Sequence, residues 1–229
     1  MKLEPLGDSA VVATLGSGID EATMAAVLDF SEAVLTANRR GISDVVPAYA
    51  TVTVFYDPAQ FAEGAADPYD GVCKFIESCV GRPSRAPFRW QAKLAEIPVY
   101  YGGDFAPDMP HVAEHCKMSV DDVISIHSSA EYLVHAIGFT PGFPYLGGLP
   151  EVLRTPRRDT PRAHVPAGSV AIGGSQTGVY PVDSPGGWQI IGRTPLHLFR
   201  PFNRQAAFLR PGDRVRFKPL TRQEFVSWR

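Results

Sequence analysis

The stretch that decides the fold runs from His127 to Phe199. It reads HSSAEYLVHAIGFTPGFPYLGGLP (127–150), TPRRDTPRAHVPAGSVAIGGSQTGVYPVDSPGGWQIIGRTP (155–195) and LHLF (196–199). Glycine and proline crowd it, but aromatic and β-branched residues separate them, which a flexible linker would lack. Short apolar runs between sharp turns predict irregular loops pinned onto a sheet, and such loops carry function more often than packing does. Strands are predicted at YLVHAIGF, SVAIGG, WQIIGR and LHLF, followed by RVRFKPL after the turn Pro211-Gly212-Asp213. Each is short and bounded by turn residues, the pattern of an antiparallel sandwich or barrel.

Upstream of this stretch, AEIPVYYG (95–102) predicts a strand. Two short helices follow, with Asp108 as cap of the first and Ser119/Asp122 as a capping box for the second. Thr221 and Glu224 cap a last helical turn. The aperiodic run GRPSRAPFRW (81–90) places a domain boundary. Ahead of it, residues 10–15 form a buried strand. A helix follows, capped by Asp20, stapled by Ile19 and Met24, faced by Thr23, Val27, Phe30 and Val34, and stopped at Gly41. Strands at 42–46 and 50–56 come next, then a helix from about Pro68 to Val80 capped by Asp67, with Val72, Phe75, Ile76 and Cys79 facing inward. The fold class is therefore α+β: residues 1–82 a small α/β sandwich (βαββα), 83–90 a linker, 91–229 an antiparallel β-sandwich or β-barrel domain.

Composition narrows the function. The chain has 229 residues, 45% hydrophobic and 20% charged, with a net charge of −2. That balance gives no basic face for nucleic acid, and no apolar run approaches the ~20 residues that span a bilayer. Three cysteines without CxxC spacing fit reduced thiols, and with no signal-peptide pattern the expected location is cytoplasmic.

Candidate chemistry concentrates in the central stretch. His111 and His115 share a helical face but lack further ligands, so no metal site is assigned. His127 closes a helix just before the glycine-rich segment, where the helix dipole suffices to explain it and an acid/base role is equally open. The aromatics of GFTPGFPYL either wall a pocket or plug the barrel mouth. Arg154, Arg157, Arg158 and Arg162 predict an anionic ligand, since guanidinium forks bind carboxylates and phosphates in pairs of hydrogen bonds. Arg158 is read as solvated, with Asp159 as its local partner. GGSQTG (173–178) lacks the lysine and following helix of a phosphate loop and reads as a hairpin exposing Gln176. Ser184 lies outside any nucleophile elbow.

Taken together, GFTPGFPYLGGLP (138–150), TPRRDTPR (155–162), VPAGSVAIGG (165–174), QTGVYP (176–181) and SPGGWQIIGRTP (184–195), with YGGDFAPD (101–108) and IHSSAEYLV (126–134), resemble one family. It is the family of the 5-oxoprolinase B subunit, the sporulation-kinase inhibitor KipI and allophanate hydrolase subunit 1. The N-terminal region resembles it more loosely, through LGDSA (6–10) and YDP (56–58). The resemblance implies a cyclophilin-like barrel for the second domain. It also implies one component of a multi-subunit, ATP-dependent amidohydrolase that opens 5-oxo-L-proline to L-glutamate. The implied partners are a homologous barrel protein, the KipA-like C subunit, and a LamB/YcsF-like A subunit. Its alternatives are allophanate hydrolysis and inhibition of a histidine kinase. Within the motifs, His127 and Arg162 are the expected catalytic residues. Phe143, Tyr145, Arg157, Gln176, Tyr180, Ser184, Trp188 and Arg193 are expected to contact a small anionic amide or lactam. With no nucleotide motif in the chain, ATP is expected to be shared with or supplied through the partner proteins.

Overall fold

The computed structural model describes residues 1–62, 67–82 and 92–228, so the expected linker at 83–90 lies outside the described residues. Two compact units divide the chain, Met1–Gln91 and Ala92–Arg229.

The first unit is built from β1 (Lys2–Pro5), β2 (Ala10–Thr14), α1 (Glu21–Thr36), β3 (Ile42–Ala48), β4 (Thr51–Tyr56) and α2 (Pro68–Ser78). Its antiparallel sheet has the order β1-β2-β4-β3. Strand β4 alternates, with Val52, Val54 and Tyr56 buried and the residues between them half-buried. Asp20 caps α1 by accepting the Thr23 N–H at 2.8 Å, and Asp67 caps α2 by accepting that of Tyr69 at 2.9 Å. Val27, Phe30 and Val34 of α1 meet Val72, Ile76 and Cys79 in one core. Three details differ from expectation. Ile19 is 63% exposed, so no staple forms on Met24. Helix α1 ends at Thr36, with Asn38 at φ 45, whereas Gly41, at φ 93, turns the chain into β3. The mostly exposed edge strand β1 was not predicted; its sequence KLEP has no alternation to read.

The second unit contains β5 (Leu94–Val99), α3 (Met109–Cys116), α4 (Val120–Ser129), β6 (Glu131–Ile137), β7 (Pro144–Gly147), β8 (Arg162–Val165), β9 (Ser169–Gly173), β10 (Gln176–Val179), β11 (Ser184–Gly186), β12 (Gln189–Arg193), β13 (Arg214–Pro219) and α5 (Arg222–Val226). Seven strands form one sheet in the order β12-β9-β10-β7-β6-β13-β5, and β11 pairs with β8 beside it. Beyond β5, Tyr100 exchanges both backbone hydrogen bonds with Arg193 of β12 at 2.9 Å. That bridge joins the two edges and brings the sheet close to a closed barrel. One pair, β13 with β5, is parallel, so the barrel is not wholly antiparallel. LHLF is not a strand; only Phe199 makes an isolated bridge, to Ala207. Both predicted capping boxes, Ser119/Asp122 and Thr221/Glu224, are formed.

The barrel core collects Ile97, Val99, Val134, Leu146, Ile172, Ile191 and Phe217. His127, at the end of α4, is wholly buried beside it, stacked on Phe217 with ring centroids 4.6 Å apart. The Thr177 hydroxyl donates to the Ala171 carbonyl, so it accepts from His127 Nε2–H at 3.0 Å. His127 Nδ1 is then the acceptor for the Tyr101 hydroxyl at 2.9 Å. Tyr132 donates its hydroxyl to the His127 carbonyl, fixing the helix end as well. Burial holds the imidazole neutral, its pKa pushed down to about 3.

The unfolded chain protonates His127 near pH 6.5, whereas the folded chain does not. The folded-state pKa is depressed, so stability is full above about pH 6.5 and is lost as pH falls. Urea unfolding of the second unit should therefore show a free energy that declines below pH 6.5, the slope approaching about 1.4 kcal/mol per pH unit near pH 5. A flat profile from pH 7 to 4.5 would mean that His127 is reached by water or carries a proton in the folded state.

Candidate functional site

A cleft of about 290 Å³ opens on the second unit, lined by Phe139, Phe143, Tyr145, Arg157, Arg158, Pro161, Tyr180, Pro185, Gly186, Gly187 and Trp188. One wall is aromatic. Phe143 is the hub, meeting Tyr145, Tyr180 and Trp188 edge-on at centroid distances of 5.0, 5.2 and 5.5 Å. Edge-to-face pairs of this kind contribute about 0.5–1.5 kcal/mol each beyond burial. Glycines make the packing possible. A Cβ on Gly173 would lie 2.5 Å from the Trp188 indole, and one on Gly186 would overlap the Tyr180 hydroxyl. The backbone N–H of Trp188 is hydrogen-bonded to that hydroxyl, whose pKa burial raises.

The opposite wall is the arginine loop, and Asp108 holds it. The Asp108 side chain is 5% exposed; Arg162 binds it through two nitrogens at 2.7 and 2.8 Å, and Arg158 through a third at 3.1 Å. The N–H of Ile190 on β12 donates to the same carboxylate at 2.7 Å. Asp108 is the N-cap residue of α3 by position, but its side chain makes no capping bond; it spans to the loop and the barrel instead. The partner of Arg158 is thus Asp108, fifty positions away in sequence, and not Asp159. Arg157 is different. Its guanidinium lies 5.7 Å from the Trp188 ring centroid and has no carboxylate partner among the described residues. It is exposed, so a cation is available beside an aromatic surface.

Of the residues singled out in the sequence, Phe143, Tyr145, Arg157, Tyr180 and Trp188 come together in the cleft. The others are placed elsewhere. His127 is sealed in the core with both ring nitrogens bonded, and Arg162 is committed to Asp108 behind the wall. Gln176 is half-buried in the β9–β10 hairpin. Ser184 is buried on β11, its Oγ without a hydrogen-bond partner. Arg193 donates Nε–H to the Ala167 carbonyl and packs over Phe105 where the barrel closes. Asp108, which the sequence assigns only to a helix cap, is the residue that holds the arginine loop. A surplus of arginine over acid between 154 and 162 was the signal that a distant carboxylate was needed.

A groove of about 680 Å³ near the C-terminus is larger, but its lining mixes Glu96, Glu224 and Lys218 with Phe208 and Trp228. Two carboxylates, Glu96 and Glu224, stand against its one cation, so it offers an anionic ligand less than the cleft does. His111 and His115 are exposed on α3, and the described residues hold no group of three or more possible metal-binding side chains. No described helix is long and apolar enough to cross a membrane.

The chain is a member of the family described as carboxyltransferase domain, subdomain C and D, whose model matches residues 1–209. Among curated proteins, it is 38% identical to the 5-oxoprolinase B subunit of Bacillus subtilis (strain 168), over 100% of this chain and 96% of that one. It is 40% identical to the 5-oxoprolinase B subunit of Haemophilus influenzae, over 95% of this chain and 97% of that protein. The crystal structure of TTHA0988 superposes with a TM-score of 0.78 at 36% identity, covering 93% of this chain but only 40% of TTHA0988.

Two substitutions test the two walls. Asp108→Asn removes the charge that both arginines share. It should destabilise the second unit by about 2 kcal/mol, less than the ~3–5 kcal/mol of a fully buried pair, because both guanidiniums reach solvent. An unchanged midpoint in urea would show that the loop is held by its backbone alone. Gly173→Ala should displace the indole, costing about 1–3 kcal/mol by overpacking and shifting the Trp188 emission. An unaltered spectrum and midpoint would contradict the interlocked wall.

Proposed function

We propose that this chain is the B subunit of a 5-oxoprolinase and works with partner proteins in the ATP-dependent opening of 5-oxo-L-proline to L-glutamate. The observation that carries the reading is the match to two such proteins over nearly the full length of both chains. The cleft suits that substrate. A lactam is a planar amide and packs on aromatic faces, while its carboxylate matches the free Arg157. Phe143, Tyr145, Tyr180 and Trp188 would hold the ring, and Arg158 would add positive potential from its clamped position.

The same cleft supports a binding role more than a complete catalytic one. Its lining has no carboxylate, histidine, serine or cysteine, and the hydroxyls it offers are those of tyrosines. Activating a lactam and moving protons requires a nucleotide cradle and an acid/base pair. In this reading those groups come from the partners, a homologous barrel protein (the C subunit) and a LamB/YcsF-like A subunit, with ATP bound wholly or partly by them. The second unit would be a cyclophilin-like barrel, a reading that its nearly closed seven-stranded sheet supports. The expected location is the cytoplasm.

Assays of 5-oxoproline-dependent ATP hydrolysis should find the pure chain inert and the assembled enzyme active. In the assembly, Arg157→Ala should raise KM about 10-fold or more, the loss of one charge-assisted contact, with a smaller change in kcat. Full turnover by the pure chain would refute the shared site. Turnover of allophanate and not 5-oxoproline would move the chain to the other amidohydrolase branch of the resemblance.

A further inference from the structure

Phe139 is at odds with ordinary folding economy in two ways at once. Its backbone lies at φ 66, in the left-handed region that a residue with a Cβ seldom occupies. The Thr140 N–H bonds back to the Gly138 carbonyl at 2.8 Å, so Phe139 is the middle residue of a γ-turn of the rare, strained hand. The turn is held from outside, because Gly138 N–H donates to the Phe143 carbonyl and Phe143 N–H to that of Thr140. Glycines stand at 138 and 142, either of which would take this conformation freely, yet the strained position carries a phenylalanine. The residue is then left 62% exposed to water.

Neither feature aids folding, and both point the ring at the cleft. Phe139 lines the cleft mouth and meets Phe143, the hub of the aromatic wall, edge-on at 5.7 Å. Next to it, the Thr140 hydroxyl is buried without a hydrogen-bond partner, a second unsettled group in the same turn. Exposure by itself would mean little: Phe202 is fully exposed on a loop without positive φ and lines none of the cavities described above. Among the described residues, the coincidence of strain, exposure and position at the mouth is confined to Phe139. Strained backbone of this kind persists where the surroundings over-determine it, commonly at ligand clamps.

We propose that Phe139 is the lip of the cleft, a specificity-determining residue whose ring covers a planar, amide-bearing small anion held against the aromatic wall. The ligand's flat face packs on the aromatic wall beside Phe139, whose ring, already in edge contact with Phe143, overhangs it, and its carboxylate meets Arg157. Selection is then for planarity as well as charge: a puckered, saturated acid of the same size would meet the arginine but not fill the space under the ring. The inference rests on the reading of the cleft as the site for 5-oxo-L-proline.

The test compares Phe139→Gly, Phe139→Ala and Phe139→Tyr in the full chain, titrated with 5-oxo-L-proline and with L-proline, its ring lacking the planar amide. Phe139→Gly removes the ring and relieves the backbone, so its Tm should equal or exceed that of the parent by up to a few degrees. Phe139→Ala should fall below Phe139→Gly. Affinity for 5-oxo-L-proline should drop about 10-fold in both, as expected for a lost aromatic contact, with Phe139→Tyr restoring it. The preference over L-proline should shrink in parallel. Parental affinity in Phe139→Gly overturns the proposal, and a lowered Tm in that variant shows the ring to be structural. Arg157→Ala separates the two readings. If it weakens binding while Phe139→Gly does not, only the lip fails; if the parent chain does not bind 5-oxo-L-proline, the cleft reading and the lip fall together. Normal ligand binding by Phe139→Gly with loss of assembly onto the partner proteins would reassign the ring to a protein contact, which also overturns the proposal.

Discussion

The carboxylate of Asp108 is the interaction on which the candidate site depends. A buried charge is costly unless paired and hydrogen-bonded, and this one has two guanidiniums and the Ile190 N–H. Those three contacts tie together the start of α3, the arginine loop and β12. Backbone alone holds the loop more sparsely, through the Thr155–Gly174 bridge and the bond from Arg158 N–H to the Gly187 carbonyl. By neutralising Arg158 and Arg162 in part, Asp108 also decides which cation is left for a ligand. Arg157, one residue from Arg158, is outside its reach and takes Trp188 as its platform.

The second unit thus separates two polar-aromatic systems that look alike in sequence. One is internal: His127, Tyr101, Tyr132 and Thr177 satisfy one another beside Phe217, and burial keeps the imidazole neutral. Its work is to fix α4 to the barrel. The other is the cleft, where Phe143, Tyr145, Tyr180 and Trp188 pack edge-on and leave one face open. A rigid aromatic wall beside an uncommitted cation binds and orients; it does not move protons at neutral pH. That division is why one component of a larger enzyme is a better account of this chain than a self-sufficient hydrolase.

Much of the architecture was legible because it is local. Asp20, Asp67, Ser119 and Thr221 announce their helices through side chains that bond to backbone within three residues. Strands with β-branched runs, such as β4, β9 and β12, were readable for the same reason. Strands β7, β8 and β11 were not, since PYLG, RAHV and SPG owe their pairing to neighbours in the sheet and not to their own propensity. The aromatic half of the site was visible because its glycines and rings are clustered in sequence. The placement of the polar residues was not legible. His127 stands beside functional-looking motifs but points into the core, and Arg162 looks available until Asp108, far away in the chain, is brought against it.

The central claim is that the aromatic cleft beside Arg157 receives the lactam. The direct measurement is intermolecular nuclear Overhauser transfer between 5-oxo-L-proline and the full-length chain with assigned aromatic resonances. The account predicts transfer from the ligand's ring protons to Trp188, Tyr145 and Phe143. Transfer confined to Phe208 and Trp228 of the C-terminal groove, or none at saturating ligand, would contradict it.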